Sequence, residues 1–315
     1  MKRIFLHIGA HKSASTTIQR TLRANNELVE TRYGFSFIGG QELKGTAVAT
    51  HFRSIANKEI LNQHDFAKSI KDAKEDLKRV LNNCGKNDVI ISWEGILGHS
   101  SLDIYKGIYT HHLVVAESIK EIFGDELVNA IMVVRKQDAF IESCYLQQIK
   151  EQRSLSFDEF VEAIDIKNLS WHDVASSCHN KLPGKFTALP FELILELGTE
   201  VFIEKFLYIL TKKRCSLNGF NVIKQANASF SEYGVRLSRE ILPKVSGVRK
   251  KEINRILFKE FSSDKYGKAS FFNSFNRESL RLCLKEDSTL MFDHFLAPSL
   301  IKSGCSPELI KKYYC

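Results

Sequence analysis

The 315-residue chain has little of what divides or staples a fold. It holds five prolines, and no stretch rich in Pro, Gly or Ser stands out as a linker, so nothing splits it into separate units. Its seven cysteines, Cys84, Cys144, Cys178, Cys215, Cys283, Cys305 and Cys315, are scattered and form no Cys-x-x-Cys pair. That pattern speaks for reduced thiols and against a disulfide frame or a zinc site. The ten histidines show no His-Glu-x-x-His or other ligand spacing, and no metal is expected. No apolar run approaches the ~18–20 residues of a membrane helix. The sequence opens directly on a strand-like segment with no secretory signal. A cytoplasmic protein without a membrane span is the expectation.

Charge is present but dispersed. The formal net charge of +8 favours anionic partners such as nucleotides or acidic glycans. The basic residues make only short clusters, Arg249-Lys-Lys251 and Lys212-Lys-Arg214, which read as solvated helix faces. They do not form the dense arm expected of a nucleic-acid binder. The hydrophobic share of 43% is that of an ordinary folded domain.

Apolar runs and helical periodicities alternate along the first two thirds. Strands are expected at 3–9, 88–93, 127–134 and 185–190, with a short one between Gly34 and Gly40. Helices are expected at 15–31, 65–84, 137–151 and 191–213. Continuous apolar runs fit a parallel sheet covered on both faces. From about 215 the pattern is mainly helical, with loops at Gly219, Gly234 and Gly247. The expected architecture is one α/β domain over 1–315, an open parallel sheet of the P-loop type with its core in 1–214 and a helical elaboration over 215–315.

The segment after the first strand carries the chemistry. Gly9-Ala-His-Lys12-Ser13-Ala14-Ser15-Thr16-Thr17 offers backbone N–H groups, a lysine and several hydroxyls at the start of a helix. That is a cradle for phosphate or sulfate. The same residues also make a capped helix start with Ser15 or Thr16 as N-cap, and the two readings are compatible. The common Gly-Lys-[Ser/Thr] phosphate loop is absent, because His11 precedes Lys12. A second anion site is suggested by Arg135, which ends the third long apolar run, and Ser143 eight residues later on a helix. The guanidinium fork and the hydroxyl suit phosphate oxygens; Arg135 could equally cap a carboxylate. Two such sites at the ends of two strands lie where open α/β sheets bind ligands.

These two stretches resemble the phosphosulfate loop and the 3′-phosphate motif of sulfotransferases that use 3′-phosphoadenosine 5′-phosphosulfate (PAPS). The segment Ala130–Gln148, Ile18-Gln19, the His51 region, Ile91-Ser-Trp-Glu-Gly95 and Asn227-Ala-Ser229 resemble bacterial members that act on glycans or similar acceptors. The resemblance implies a transferase moving a sulfuryl group from PAPS to an acceptor hydroxyl or amine, with a carbohydrate as the favoured acceptor and no metal. Lys12 would offset charge on the departing 5′-phosphate. Residues 13–17 would hold that phosphate, and Arg135 with Ser143 the 3′-phosphate. Glu94, at the end of the second buried strand, is the candidate base, with His51 second; a solvated or salt-bridged Glu94 is the plainer alternative. By the same resemblance Asn227-Ala-Ser229 is a lid or donor-contact segment.

One departure and one competing class keep other functions open. Ala14 stands where that family has glycine. Alanine fits a helical backbone there, but a position needing φ > 0 would make it costly and point to weak donor binding or a non-catalytic relative. A nucleotide kinase or hydrolase of the same broad class is the remaining alternative, although no strand ends in an obvious magnesium-binding aspartate. The acceptor would lie against 34–64, 95–115 and 151–180, and nothing in those stretches names a sugar.

Overall fold

The apolar runs form a single sheet. In the computed structural model, which describes residues 2–59, 62–224 and 229–315, five strands pair in the order β2-β3-β1-β4-β5. They are β1 (Arg3–His7), β2 (Phe35–Gly39), β3 (Asp88–Ser92), β4 (Leu127–Val134) and β5 (Phe186–Pro190). Every pairing is parallel: Phe5 sits opposite Ile90 on one side and Asn129 on the other. Ile4, Leu6, Val89, Ile90, Ile91 and Ile131 to Val134 are fully buried, as a sheet covered by helices on both faces requires. The chain is thus an α/β protein with helices flanking an open parallel sheet and a helical C-terminal region. Pro190 ends β5 at the sheet edge, where its missing N–H costs no ladder bond. Among the described residues no helix is long and apolar enough to cross a membrane.

Several expected elements differ from those observed, for local reasons. The single helix expected over 15–31 is two, Ser15–Ala24 and Asn26–Tyr33. The break is Asn25, whose side chain donates to the carbonyls of Thr21 (2.7 Å) and Asn221 (3.0 Å) and accepts from the Asn221 N–H. Such side-chain bonds compete with the helix ladder. The helix expected over 191–213 runs Leu193–Thr211 and bends at Gly198, whose φ of 79° and ψ of 169° no helix contains. Gly234 is not a loop glycine but lies inside the helix Glu232–Ile241. A Cβ there would sit 2.5 Å from the Phe261 carbonyl oxygen, so the glycine permits close packing. The stretches offered for an acceptor, 34–64, 95–115 and 151–180, include the helices Ala47–Ala56, Leu102–Tyr105 and Phe157–Glu162.

Candidate functional site: an anion cradle at the ends of three central strands

The carboxyl ends of β3, β1 and β4 lie side by side at the middle of the sheet. Each is followed by one of the residues singled out above: Lys12 after β1, Glu94 after β3 and Arg135 after β4. The ladder continues into these exits, with the Trp93 N–H on the His7 carbonyl (3.0 Å) and the Ile8 N–H on that of Ile131 (3.0 Å). Ligands of open parallel sheets bind in this kind of crevice, outside the strand ends.

The loop from Gly9 to Ala14 is tightly constrained. Gly9 has φ of 68°, and a Cβ on it would lie 2.8 Å from the Cβ of Glu94 and 3.2 Å from Oγ of Ser15. Only glycine therefore lets the loop lie against the start of the β3 exit. His11 is pinned twice: its N–H donates to the Tyr109 hydroxyl (2.8 Å), and its Nε2 sits 2.6 Å from the Gly98 carbonyl oxygen. Lys12 and Ala14 both adopt left-handed backbone, with φ of 62° and 64°. Ala14, at ψ of 4°, is the residue from which the helix Ser15–Ala24 departs. Alanine is thus not helical here, and the conformation costs roughly 1–2 kcal/mol relative to glycine.

Neither Ser15 nor Thr16 is the N-cap. The helix begins at Ser15 with no side-chain cap, and the Ser15 hydroxyl donates back to the Ala10 carbonyl (3.2 Å), closing the loop on itself. The Ala14 carbonyl accepts the first helical bond, from Ile18 (3.0 Å). The first-turn amides of Ser15 and Thr16 have no acceptor within the helix, as at any helix start, and the positive end of the dipole is there with them. The side chains of Ser13, Ser15 and Thr17 are buried; that of Thr16 is half-exposed. A bound anion would therefore meet the amides, Thr16 and Lys12 before the other hydroxyls.

Lys12 and the β4 exit are in contact. Nη1 of Arg135 donates to the Lys12 carbonyl (3.3 Å), while its guanidinium lies 4.9 Å from the centre of the Phe191 ring. The Arg135 carbonyl accepts from the indole N–H of the buried Trp171 (2.8 Å), which fixes the backbone there. Among the described residues Arg135 makes no ion pair with a carboxylate, so it does not serve as a cap for one. Nζ of Lys12 donates to Oε1 of Gln147 (3.2 Å) on the helix Gln137–Lys150. Ser143 lies one turn before Gln147 on that helix face, and its hydroxyl has no partner among the described residues. The structure thus brings Lys12, Arg135, Gln147 and the face bearing Ser143 together.

The electrostatics suit an anion. Lys12 reaches solvent, yet protein surrounds most of it, as at the floor of a cleft. Burial first, then the nearby charges of Lys150 and Arg135, lower its pKa below the ordinary lysine value. Burial likewise lowers Arg135, against the opposing pull of Glu192. A lysine depressed by neighbouring cations and a buried guanidinium are stabilised together by a shared oxyanion.

Glu94 opens a short helical turn after β3. Its Oε2 accepts from the amide of Gln19 (2.6 Å), a residue on the first helix after the loop. The carboxylate is therefore oriented from the same helix whose amino end makes the cradle, and it has no ion-pair partner among the described residues. His51 is elsewhere. It lies on the helix Ala47–Ala56, fully buried, with Nδ1 on the Ser69 hydroxyl (2.8 Å) and Nε2 on that of Ser118 (2.9 Å). Both nitrogens are occupied, and burial pushes its pKa down to about 4. His7 is a core residue within β1, bonded to Ser92 (2.7 Å), with its pKa lowered to about 3 by burial. Asn227 of the Asn-x-Ser segment lies outside the described residues.

Gln19, Gln147 and Phe191 complete the site, and Gln147 and Phe191 carried no signal in the one-dimensional pattern. Among the described residues no group of three or more His, Cys, Asp or Glu converges as metal ligands would. Compared with known proteins, the chain matches no family model, and no curated protein is detectably similar to it in sequence.

Proposed function

We propose that the protein is a PAPS-dependent sulfotransferase that moves a sulfuryl group to a hydroxyl or amine of an acceptor, with a carbohydrate as the favoured class. The observation that carries this reading is the contact between Lys12 and Arg135. It joins two anion-binding elements, from the ends of β1 and β4, into one surface. A donor with phosphate at both its 5′ and 3′ positions uses both; a nucleoside triphosphate has no need of the second.

The residues divide the chemistry between them. The amides of Ser15 and Thr16, with Lys12, hold the 5′-phosphate and take up the charge that it gains as its bridging oxygen leaves sulfur. Arg135, with Ser143 beside it, holds the 3′-phosphate. Glu94 accepts the proton of the acceptor hydroxyl while the acceptor oxygen bonds to sulfur and the bridging S–O bond breaks. One bond forms, one breaks, and the proton ends on the carboxylate. Gln19 holds the Glu94 carboxylate from the helix that follows the loop.

A magnesium-dependent kinase of the P-loop class would hold its metal with an aspartate at a strand's carboxyl end; the carboxylate at the β3 exit is Glu94, held by Gln19. Asp88 instead stands at the entry to β3, where it is held by Arg3 (2.7 Å) and Lys213 (3.1 Å). Titration calorimetry with adenosine 3′,5′-bisphosphate against ADP tests the proposal. Tighter binding of the bisphosphate, by about ten-fold or more, is expected; equal or tighter binding of ADP overturns it.

A further inference from the structure

One residue beyond Arg135 a second recess begins. A cleft of about 570 Å³ opens between the first turn of the helix Gln137–Lys150 and three C-terminal helices, Ser274–Cys283, Lys285–Met291 and Glu308–Tyr314. Its volume is that of a small-molecule site. None of Lys12, Glu94, Arg135 or Ser143 lines it, so it is separate from the cradle.

Its lining is cationic: five basic side chains stand against two acidic ones. The acids do not balance them. Asp138, 2% exposed, is bound by both Arg277 and Arg281 at 2.9 Å. Lys312 pairs outside the lining, with Glu196 (2.8 Å). Lys136 and Lys285 make no ion pair among the described residues. Lys136 is half-buried, and burial first, with the charges of Arg281 and Arg277, lowers its pKa against the opposing pull of Asp138 and Glu192. The Glu192 carboxylate nearby is already bound by the Lys136 backbone N–H (2.9 Å) and the Tyr314 hydroxyl (2.6 Å). Glu278 is the only other acid of the lining, so with Asp138 shared between two guanidiniums the cleft keeps positive charge in excess around the half-buried Lys136 ammonium. Leu280 and Tyr313 add apolar wall for the body of a ligand.

We infer that this cleft binds a small organic oxyanion, a sulfate- or carboxylate-bearing molecule whose charge lies against Lys136 and Lys285. The site stands on its own geometry; that its occupant is an anionic sugar unit of an acceptor, bound away from the unit that reacts at Glu94, rests on the sulfotransferase reading. Occupation would also be felt at the cradle, since Lys136 follows Arg135 directly and its N–H is tied to Glu192.

The test is calorimetry on the full chain with three probes: a sulfated uronic-acid disaccharide, its neutral unsulfated counterpart, and adenosine 3′,5′-bisphosphate. Each is titrated into the unaltered protein, the double variant Lys136→Ala/Lys285→Ala and Lys12→Ala. Among the described residues neither cleft lysine side chain has a hydrogen-bond or ion-pair partner to lose, and the urea midpoint of the double variant checks that it folds. The sulfated disaccharide is expected to bind, to weaken by about ten-fold or more in the double variant, and to be unaffected by Lys12→Ala; the neutral sugar is expected not to bind. The inference is overturned if the sulfated sugar fails to bind, binds no better than the neutral one, or binds equally to the double variant. Greater loss of the bisphosphate in the double variant than in Lys12→Ala would make the cleft part of the nucleotide site and overturn its independence. Failure of the bisphosphate to bind any form would sink the sulfotransferase reading and leave the disaccharide result standing.

Discussion

Replacing Ala14 by glycine separates two backbone states by the size of a stability change. Ala14 has φ of 64° and ψ of 4°, a conformation that costs an L-residue roughly 1–2 kcal/mol. Glycine removes that cost. Against the gain stand about 0.4–1 kcal/mol for the freer unfolded chain and about 0.5 kcal/mol for the lost methyl, which is largely buried. The balance lies between about −0.5 and +1 kcal/mol, at most a gain of ~3 °C in Tm. Were Ala14 helical, the same change would lose about 1 kcal/mol of helix propensity in addition to the methyl. Ala67→Gly, at an exposed position inside the helix Gln63–Asn82, is the matched control and should lose about 1 kcal/mol. Urea midpoints of the three proteins decide the matter. A loss at Ala14 equal to that at Ala67 would refute the left-handed loop, and with it the strained cradle.

Three further changes probe neighbouring parts of the site. Gly9→Ala should cost about 3 kcal/mol or more in urea denaturation, because it adds a positive-φ penalty to a Cβ placed 2.8 Å from that of Glu94; a neutral result would mean that the loop does not lie against Glu94. Glu94→Gln should lower the rate of sulfuryl transfer by about 10²–10⁴ and leave bisphosphate affinity within about two-fold, and an unchanged rate removes Glu94 as base. His51 is held neutral, with a folded pKa of about 4 against ~6.5 in the unfolded chain. Its contribution to stability is therefore present above pH 6.5 and declines as pH falls toward 4, by about 2 kcal/mol at pH 5. His51→Gln should flatten the stability profile between pH 7 and 5 by up to one proton; an unaltered slope would show that His51 does not titrate in the unfolded state alone.

The sheet was legible because β1, β3, β4 and β5 are continuous apolar runs, and a run buried on both faces looks the same wherever its partners lie. Helix interruptions were not. Asn25 breaks a helix through the backbone of Asn221, almost two hundred residues away, and no local pattern carries that. His51 looked like a loop histidine because Ala47–Ala56 is short. Its role as a core residue depends on Ser69 and Ser118 from two other helices. Lys12, Arg135 and Glu94 could be singled out because each follows an apolar run, and parallel neighbouring strands bring the ends of those runs to one side of the sheet. Gln147 and Phe191 were missed because they matter only through contacts with Lys12 and Arg135 that the fold creates. The glycine expected at position 14 marked the right constraint: the backbone is left-handed there, and alanine carries the strain.

The central claim is that Lys12 and Arg135 grip opposite ends of one nucleotide. The most direct measurement compares adenosine 3′,5′-bisphosphate with 5′-AMP, by calorimetry, on the unaltered protein, Lys12→Ala and Arg135→Ala. Arg135→Ala is expected to weaken the bisphosphate by about 10–100-fold, the worth of a charge-assisted phosphate contact, and to leave 5′-AMP within about two-fold. Lys12→Ala should weaken both. Equal loss of the two nucleotides in Arg135→Ala would contradict the claim, because Arg135 would then hold no 3′-phosphate.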